Sequence, residues 1–265
     1  MALKKTELLV LKRTRILESS LFLICLSRDY GKLPLVAKSA VRPGSSSAES
    51  LQYFAVADVV FYQSEKEAAD YISKADLVET FDNIAQNEQK FGYASAALEF
   101  TNLFLPEHEV NSQVYFNLKK FLRSLNQSEE KDFRREILHF WYLLCIFCGY
   151  APQLGQCVEC GGKLAGDRLM LDPQRGGLVC AKCIGDRLLI GLDRGTVKVL
   201  ERLAGTDISD NRKVSLTKAQ QEQIRQMLTA LTEYHIGKRV DLKSFDFLRK
   251  LDIMNQDGGI RGEDS

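Results

Sequence analysis

Four cysteines, in Cys157-Val158-Glu159-Cys160-Gly161 and Cys180-Ala181-Lys182-Cys183, are set at C-x2-C-x19-C-x2-C, the spacing of a structural zinc site. Two residues between cysteines let both sulfurs turn onto one cation, and Gly161 and Gly162 let the chain turn tightly behind them. Two such hooks complete a closed tetrathiolate with no position left for substrate, so the motif predicts a scaffold rather than a catalytic centre. Zinc with four thiolates carries a net charge of about −2. Lys163, Arg175, Lys182 and Arg187 lie in or beside the segment and can offset it. Other four-cysteine chemistries fit less well. Two disulfides suit a small secreted domain, whereas this chain is long and opens without a secretory leader. A thioredoxin-like pair needs a βαβ unit that is not evident. An iron–sulfur cluster is compatible with the same ligands. Cys145 and Cys148 repeat the C-x-x-C spacing inside an apolar helix, where they stack on one face as small hydrophobes.

The cations form the second chemical feature. Residues 1–45 hold nine Lys/Arg against three acids, a net of +6, and residues 46–110 hold three Lys against twelve acids, a net of −9. A basic amino-terminal region of this kind suits a polyanion, or is simply a solvated face. The longest apolar run, Ile137 to Cys148, is interrupted by His139 and falls short of the roughly 20 residues a membrane helix needs. Reduced cysteines and the absent leader predict a cytoplasmic protein with no membrane partner.

The elements that position these groups change character along the chain. Short apolar runs at Leu8–Leu11, Leu21–Leu26, Leu33–Ala37 and Val56–Tyr62 are separated by turn signals at Asp29-Tyr30-Gly31 and Arg42-Pro43-Gly44. Four or five such strands in about 70 residues predict a small closed barrel like an OB-fold. Lys12, Arg13 and Arg15 close the first strand, and Lys32, Lys38 and Arg42 lie along and after the third, before a loop at Ser45-Ser46-Ser47. Basic strand ends with Tyr30, Tyr53 and Phe54 nearby suit a phosphate backbone with stacked bases, although such aromatics are more often core. From about residue 76 the period turns helical. Stripes run through Phe91, Ala94 and Leu98, through Val114, Leu118, Phe121, Leu122 and Leu125, and from Phe133 to Cys148, where Pro152 ends the run. Val197, Leu200 and Leu203 mark another, and Thr217-Lys218-Ala219-Gln220 is a capping box opening a further packed stripe through Ile224, Leu228, Leu231 and Tyr234. The fold class is thus α+β and multidomain. Residues 1–78 form an OB-fold-like barrel, and residues 79–255 a mainly helical domain carrying the four-cysteine zinc-finger segment at 154–187. Residues 256–265 form a flexible tail.

Enzyme signatures are missing: there is no Walker A loop, no G-x-G-x-x-G after a strand and no H-E-x-x-H. His108, His139 and His235 are scattered, and His139 reads as a core residue.

With these pieces in order, the chain resembles the bacterial recombination mediator family RecO. The resemblance rests on Tyr30-Gly31-Lys32-Leu33-Pro34-Leu35-Val36-Ala37-Lys38-Ser39-Ala40-Val41-Arg42-Pro43, on Gly149-Tyr150-Ala151-Pro152-Gln153-Leu154 leading into Cys157, and on Tyr234-His235-Ile236-Gly237 through Phe247-Leu248. Val41 stands where members often have another arginine, and Glu65 to Glu88 matches poorly. The resemblance implies a non-enzymatic DNA repair and recombination protein, nucleoid-associated in a bacterium. It would bind single- and double-stranded DNA, anneal complementary strands, and work with RecR to load RecA onto strands coated by single-stranded-DNA-binding protein. DNA contacts are expected at Lys12, Arg13, Arg15, Arg28, Lys32, Lys38 and Arg42, and Zn²⁺ at Cys157, Cys160, Cys180 and Cys183. The acidic carboxy-terminal tail of the coating protein would meet Lys119, Lys120 and Arg123, or Arg134 and Arg135. The rival expectations are a zinc-stabilised protein–protein adaptor without DNA contact and a DNA-processing enzyme with unrecognised carboxylates.

Overall fold

The structure, a computed structural model, describes residues 2–16, 18–38, 40, 46–63, 69–129 and 133–258; for 46–47, 211–212 and 252–258 it describes the backbone alone. The chain divides into two compact units, Met1–Lys131 with Leu242–Ser265, and Asp132–Asp241.

The first unit opens with five strands: β1 (Ala2–Arg15), β2 (Leu21–Ser27), β3 (Gly31–Ala37), β4 (Ala55–Gln63) and β5 (Asp70–Thr80). They close into a barrel in the order β1-β2-β3-β5-β4, with β3 and β5 parallel and every other pair antiparallel. This is the expected OB-like barrel. β1 is long because it pairs twice, its first half with β4 and its second with β2. Leu8, Val10, Leu21, Leu23, Cys25, Leu33, Leu35, Val59 and Phe61 fill the interior at alternate positions. β5 sends little inward beyond Ala75 and Ile72, so the chain from residue 76 to Thr80 is strand rather than the start of the helical pattern.

A short helix α1 (Ser46–Ser50) stands where the serine-rich loop was expected; Ser45 lies outside the described residues. The barrel is followed by α2 (Asp82–Ala85), α3 (Glu88–Phe104) and α4 (Ser112–Gln127). Asn87 and Asn111 cap α3 and α4 by accepting from the amides of Lys90 at 3.0 Å and Val114 at 3.1 Å.

The second unit holds α5 (Arg134–Phe147), a three-stranded sheet of β6 (Arg168–Asp172), β7 (Gly177–Val179) and β8 (Ile190–Asp193), then α6 (Arg194–Ala204), a 3-10 turn (Ile208–Lys213) and α7 (Lys218–Ile236). The sheet order is β7-β6-β8. α5 is buried on most sides, and Trp141 Nε1 donates to Thr232 Oγ1 at 2.9 Å. Both halves of the Thr217–Gln220 capping box are present. α8 (Lys243–Gly258) then returns to the first unit. Residues 259–265, most of the expected tail, lie outside the described residues. Among the described residues no helix is long and apolar enough to cross a membrane.

Candidate metal centre and nucleic-acid interface

The two cysteine hooks converge. The sulfurs of Cys157, Cys160, Cys180 and Cys183 all lie within 4.8 Å of one another, and Cys160 Sγ is 3.7 Å from Cys180 Sγ. A tetrahedral ion with bonds of about 2.3 Å to sulfur sets its ligands about 3.8 Å apart, so the thiols fit such an ion. Each hook is a tight turn: Gly161 N donates to Cys157 O at 2.9 Å and Cys183 N to Cys180 O at 2.8 Å. Gly161 sits at φ +69°, where a side chain is strained. The first hook is pinned to the sheet by Val158 N donating to Leu178 O at 2.9 Å. Amides of Cys180 and Cys160 draw the Cys157 thiol down to about 6, while the Cys180 and Cys160 sulfurs push Cys183 up to about 12. Four thiols so close cannot all ionise unaided; a divalent cation removes the conflict.

Arg187 fastens the surroundings. Its guanidinium donates to Asp172 Oδ2 at 2.9 Å, to Glu159 Oε2 at 2.8 Å and to the Cys183 carbonyl, so one side chain joins both hooks to β6. Arg175 adds a bond to the same Glu159 oxygen at 2.9 Å. Asp172 is buried and also caps the turn after β6 through the amides of Gln174 and Arg175. The sequence marks Arg175 and Arg187 as nearby cations, but their acceptors emerge only when β6 forms.

The basic residues of the barrel fall into two groups. The β1–β2 register shifts between Val10 and Lys12, leaving Leu11 as an extra residue. This bulge changes the alternation. Arg13 and Arg15 stand opposite Leu23 and Leu21 on the inward parity, and Lys12 stands opposite Ile24 on the outward one. Leu21 pairs with Ala37, so Lys38 follows at the same end of the sheet, its ammonium 4.3 Å from the Tyr71 ring centroid. Lys12, Arg15 and Lys38 are exposed and Arg13 half-buried. Arg15 also donates to the Glu18 carbonyl. Arg28 and Lys32 lie at the opposite end of β2 and β3, about 20 Å away at 3.3 Å per residue. Arg28 holds Asp29 through two bonds, of 3.1 and 3.3 Å, and Lys32 donates to the Asn102 carbonyl at 2.9 Å. Arg42 lies outside the described residues.

Of the aromatics, Tyr30 packs edge-on against Phe61 at 5.6 Å and Phe54 is buried. Tyr53 is exposed, and its hydroxyl accepts from the Arg13 amide at 2.9 Å. Lys119 is half-buried, 2.8 Å from Glu7, and Arg123 forms two bonds of 2.9 and 2.7 Å with Glu79. His139 is a core residue as expected: Nε2 bonds the Leu203 carbonyl at 3.0 Å, and burial lowers its pKa to about 4.

A closed five-stranded OB-like barrel, followed by a helical region whose small sheet segment brings together four thiols that could hold a metal ion, defines the class of this protein. The family descriptions "Recombination protein O N terminal" and "Recombination protein O C terminal" match residues 1–81 and 86–244. Similar proteins include the DNA repair protein RecO of Thermoanaerobacter sp. (strain X514), 29% identical over 255 residues, or 96% of this chain and 100% of that one. That of Caldanaerobacter subterraneus subsp. tengcongensis is 31% identical over 252 residues, 93% and 98% of the two chains. That of Pelotomaculum thermopropionicum is 27% identical over 249 residues, 94% of each. The chain belongs to the recombination protein O family of DNA repair proteins.

Proposed function

We propose that this protein is a non-enzymatic recombination mediator acting in the bacterial cytoplasm at the nucleoid. It binds single- and double-stranded DNA, anneals complementary strands and, with RecR, loads RecA onto strands coated by single-stranded-DNA-binding protein. The observation that carries this reading is the grouping of Arg13, Arg15 and Lys38 at one end of an OB-like barrel, with Lys12 on the outer face of the same strand, in a RecO-family chain. Annealing requires a cationic surface that lowers the repulsion between two phosphate backbones. A cluster on strand ends meets that need without a deep site to trap either strand. In this reading the barrel, residues 1–78, makes the backbone contacts, joined by Arg42. Arg28 and Lys32 contribute less because Asp29 and the Asn102 carbonyl already engage them. The acidic tail of the coating protein meets helical cations, either Lys119, Lys120 and Arg123, of which Lys119 also pairs with Glu7 and Arg123 with Glu79, or Arg134 and Arg135. Cys157, Cys160, Cys180 and Cys183 hold Zn²⁺, which supplies a structural cross-link.

The test is fluorescence anisotropy of a labelled single-stranded oligonucleotide at several salt concentrations. We expect log affinity to fall linearly with log salt. In R13E, R15E and K38E variants the slope should shrink by about 0.7 for each phosphate that is no longer neutralised. Binding that persists unchanged through salt and these reversals removes the strand-end cations from the site, and no binding even at low salt overturns the DNA contact. It leaves the adaptor reading in its place.

A further inference from the structure

We propose a second element of the DNA site, resting on the reading above: a row of aromatic rings that takes unstacked bases of single-stranded DNA. The row starts at the basic strand end, where the Tyr53 hydroxyl accepts from the Arg13 amide at 2.9 Å. From there ring centroids follow one another, Tyr53 to Phe54 at 6.1 Å, Phe54 to Phe91 at 5.4 Å and Phe91 to Phe247 at 6.2 Å. All four residues belong to the same compact unit. Phe54 is the buried member and holds φ +59°, a conformation that is costly for a bulky side chain and keeps it between its neighbours.

Packing alone does not account for the row. α3 and α8 already meet through Phe100 and Phe245, 5.5 Å apart, with Phe100 fully buried. Tyr53, Phe91 and Phe247 instead leave 37%, 41% and 37% of their surface to solvent. Gly92 makes this possible: a Cβ there would come within 2.5 Å of Leu248 Cδ2 and 3.2 Å of Phe247 Cδ1. Only the bare backbone lets α8 approach closely enough to set Phe247 beside Phe91.

Charge identifies the ligand. Lys243, Phe247 and Lys250 recur at i, i+4 and i+7, on one face of α8, and both lysines are exposed. Asp246 beside them is paired with Arg249. The exposed rings therefore run between cations at both ends, Arg13 and Arg15 at one and Lys243 and Lys250 at the other. Interleaved rings and cations are how proteins hold single-stranded nucleic acid, the charge tracking phosphate and the rings stacking bases of any sequence. A duplex, whose bases are already stacked, gains nothing from the rings.

A tryptophan reporter tests this, because the sole native tryptophan, Trp141, is buried. In F91W, oligothymidylate should quench the added fluorescence in step with the rise in anisotropy. A hairpin duplex should raise anisotropy without quenching. An F91L/F247L variant keeps apolar contact but loses the flat faces; it should bind oligothymidylate about tenfold more weakly at an unchanged salt slope and bind duplex as before. An unquenched F91W at saturating anisotropy, or wild-type affinity in F91L/F247L, overturns the aromatic site and leaves the strand-end contacts standing. Absence of any oligothymidylate binding by the unaltered protein overturns both.

Discussion

The barrel and the cysteine segment are both β-rich, yet they are held by different physics. In the barrel every strand is paired on both sides and the interior is filled by Leu, Val and Phe side chains that are almost fully buried. The segment between Gln153 and Asp193 has a three-stranded sheet and a handful of buried apolar residues, Leu169, Leu171, Leu178, Val179 and Leu192. Its remaining order comes from backbone turns, from the Arg187 and Arg175 bonds to Glu159 and Asp172, and from whatever joins the four sulfurs. A closed sheet carries its own cross-links in its ladder. A small open one needs an added clasp, and metal is the strongest available.

Breaking the proposed metal site is therefore the most forceful way to separate the two regions. Structural zinc contributes on the order of 10–16 kcal/mol in zinc-finger peptides. In Cys157→Ser, or after chelation, we expect metal content to fall below one per chain and residues 153–193 to lose hydrogen-exchange protection. Amides of β2 such as Leu23 and Cys25 should keep theirs. Loss of protection throughout the barrel would show that the two regions do not stand on separate supports.

The converse change is Leu23→Ala, which opens a cavity in the barrel at a fully buried position. Replacements of this kind cost about 2–5 kcal/mol. We expect a matching drop in the stability of the barrel to urea, followed by circular dichroism, with one metal per chain retained. Metal release in the same variant would contradict the independence of the segment.

The same contrast explains what could be read from sequence. The cysteine hooks and the strands β1 to β4 were legible because each rests on a local signal, two-residue spacing in one case and short apolar runs bounded by turn residues in the other. β5 was hidden because only Ala75 and Ile72 point toward the core, while its other large apolar residues, Leu77 and Val78, are exposed and charged residues interrupt the run. β7 is three residues long, too short for a period to show. Among the proposed contacts, Lys12, Arg13 and Arg15 follow one another in sequence, but the bulge at Leu11 that sorts them onto two faces is a property of the β1–β2 pairing. Phe91 reads as part of an apolar helical stripe together with Ala94 and Leu98. Its exposure follows from its place in the first turn of α3, where the chain covers it incompletely.

One of the polar ties between the barrel and the helices that follow it should loosen in acid. Glu7 on β1 accepts from the Tyr115 hydroxyl at 2.5 Å and from the Lys119 ammonium at 2.8 Å, both on α4. Burial opposes its charge, but these donors prevail and hold the carboxyl below its ordinary value of 4.5. The unfolded chain thus takes up the proton first as pH falls. The stabilisation is present in full above about pH 4.5 and is lost as pH drops through the lower folded value. Hydrogen bonds to a charged group contribute about 1.5–3 kcal/mol, so Glu7→Gln should lower stability by that amount near neutral pH. Other carboxylates titrate in both proteins, which makes the difference between them the quantity to follow. Urea melts of the two across the acid range should converge below pH 4.5. A gap that persists undiminished into strong acid would mean that the glutamine disturbs packing and that the Lys119 ion pair is not what ties β1 to α4.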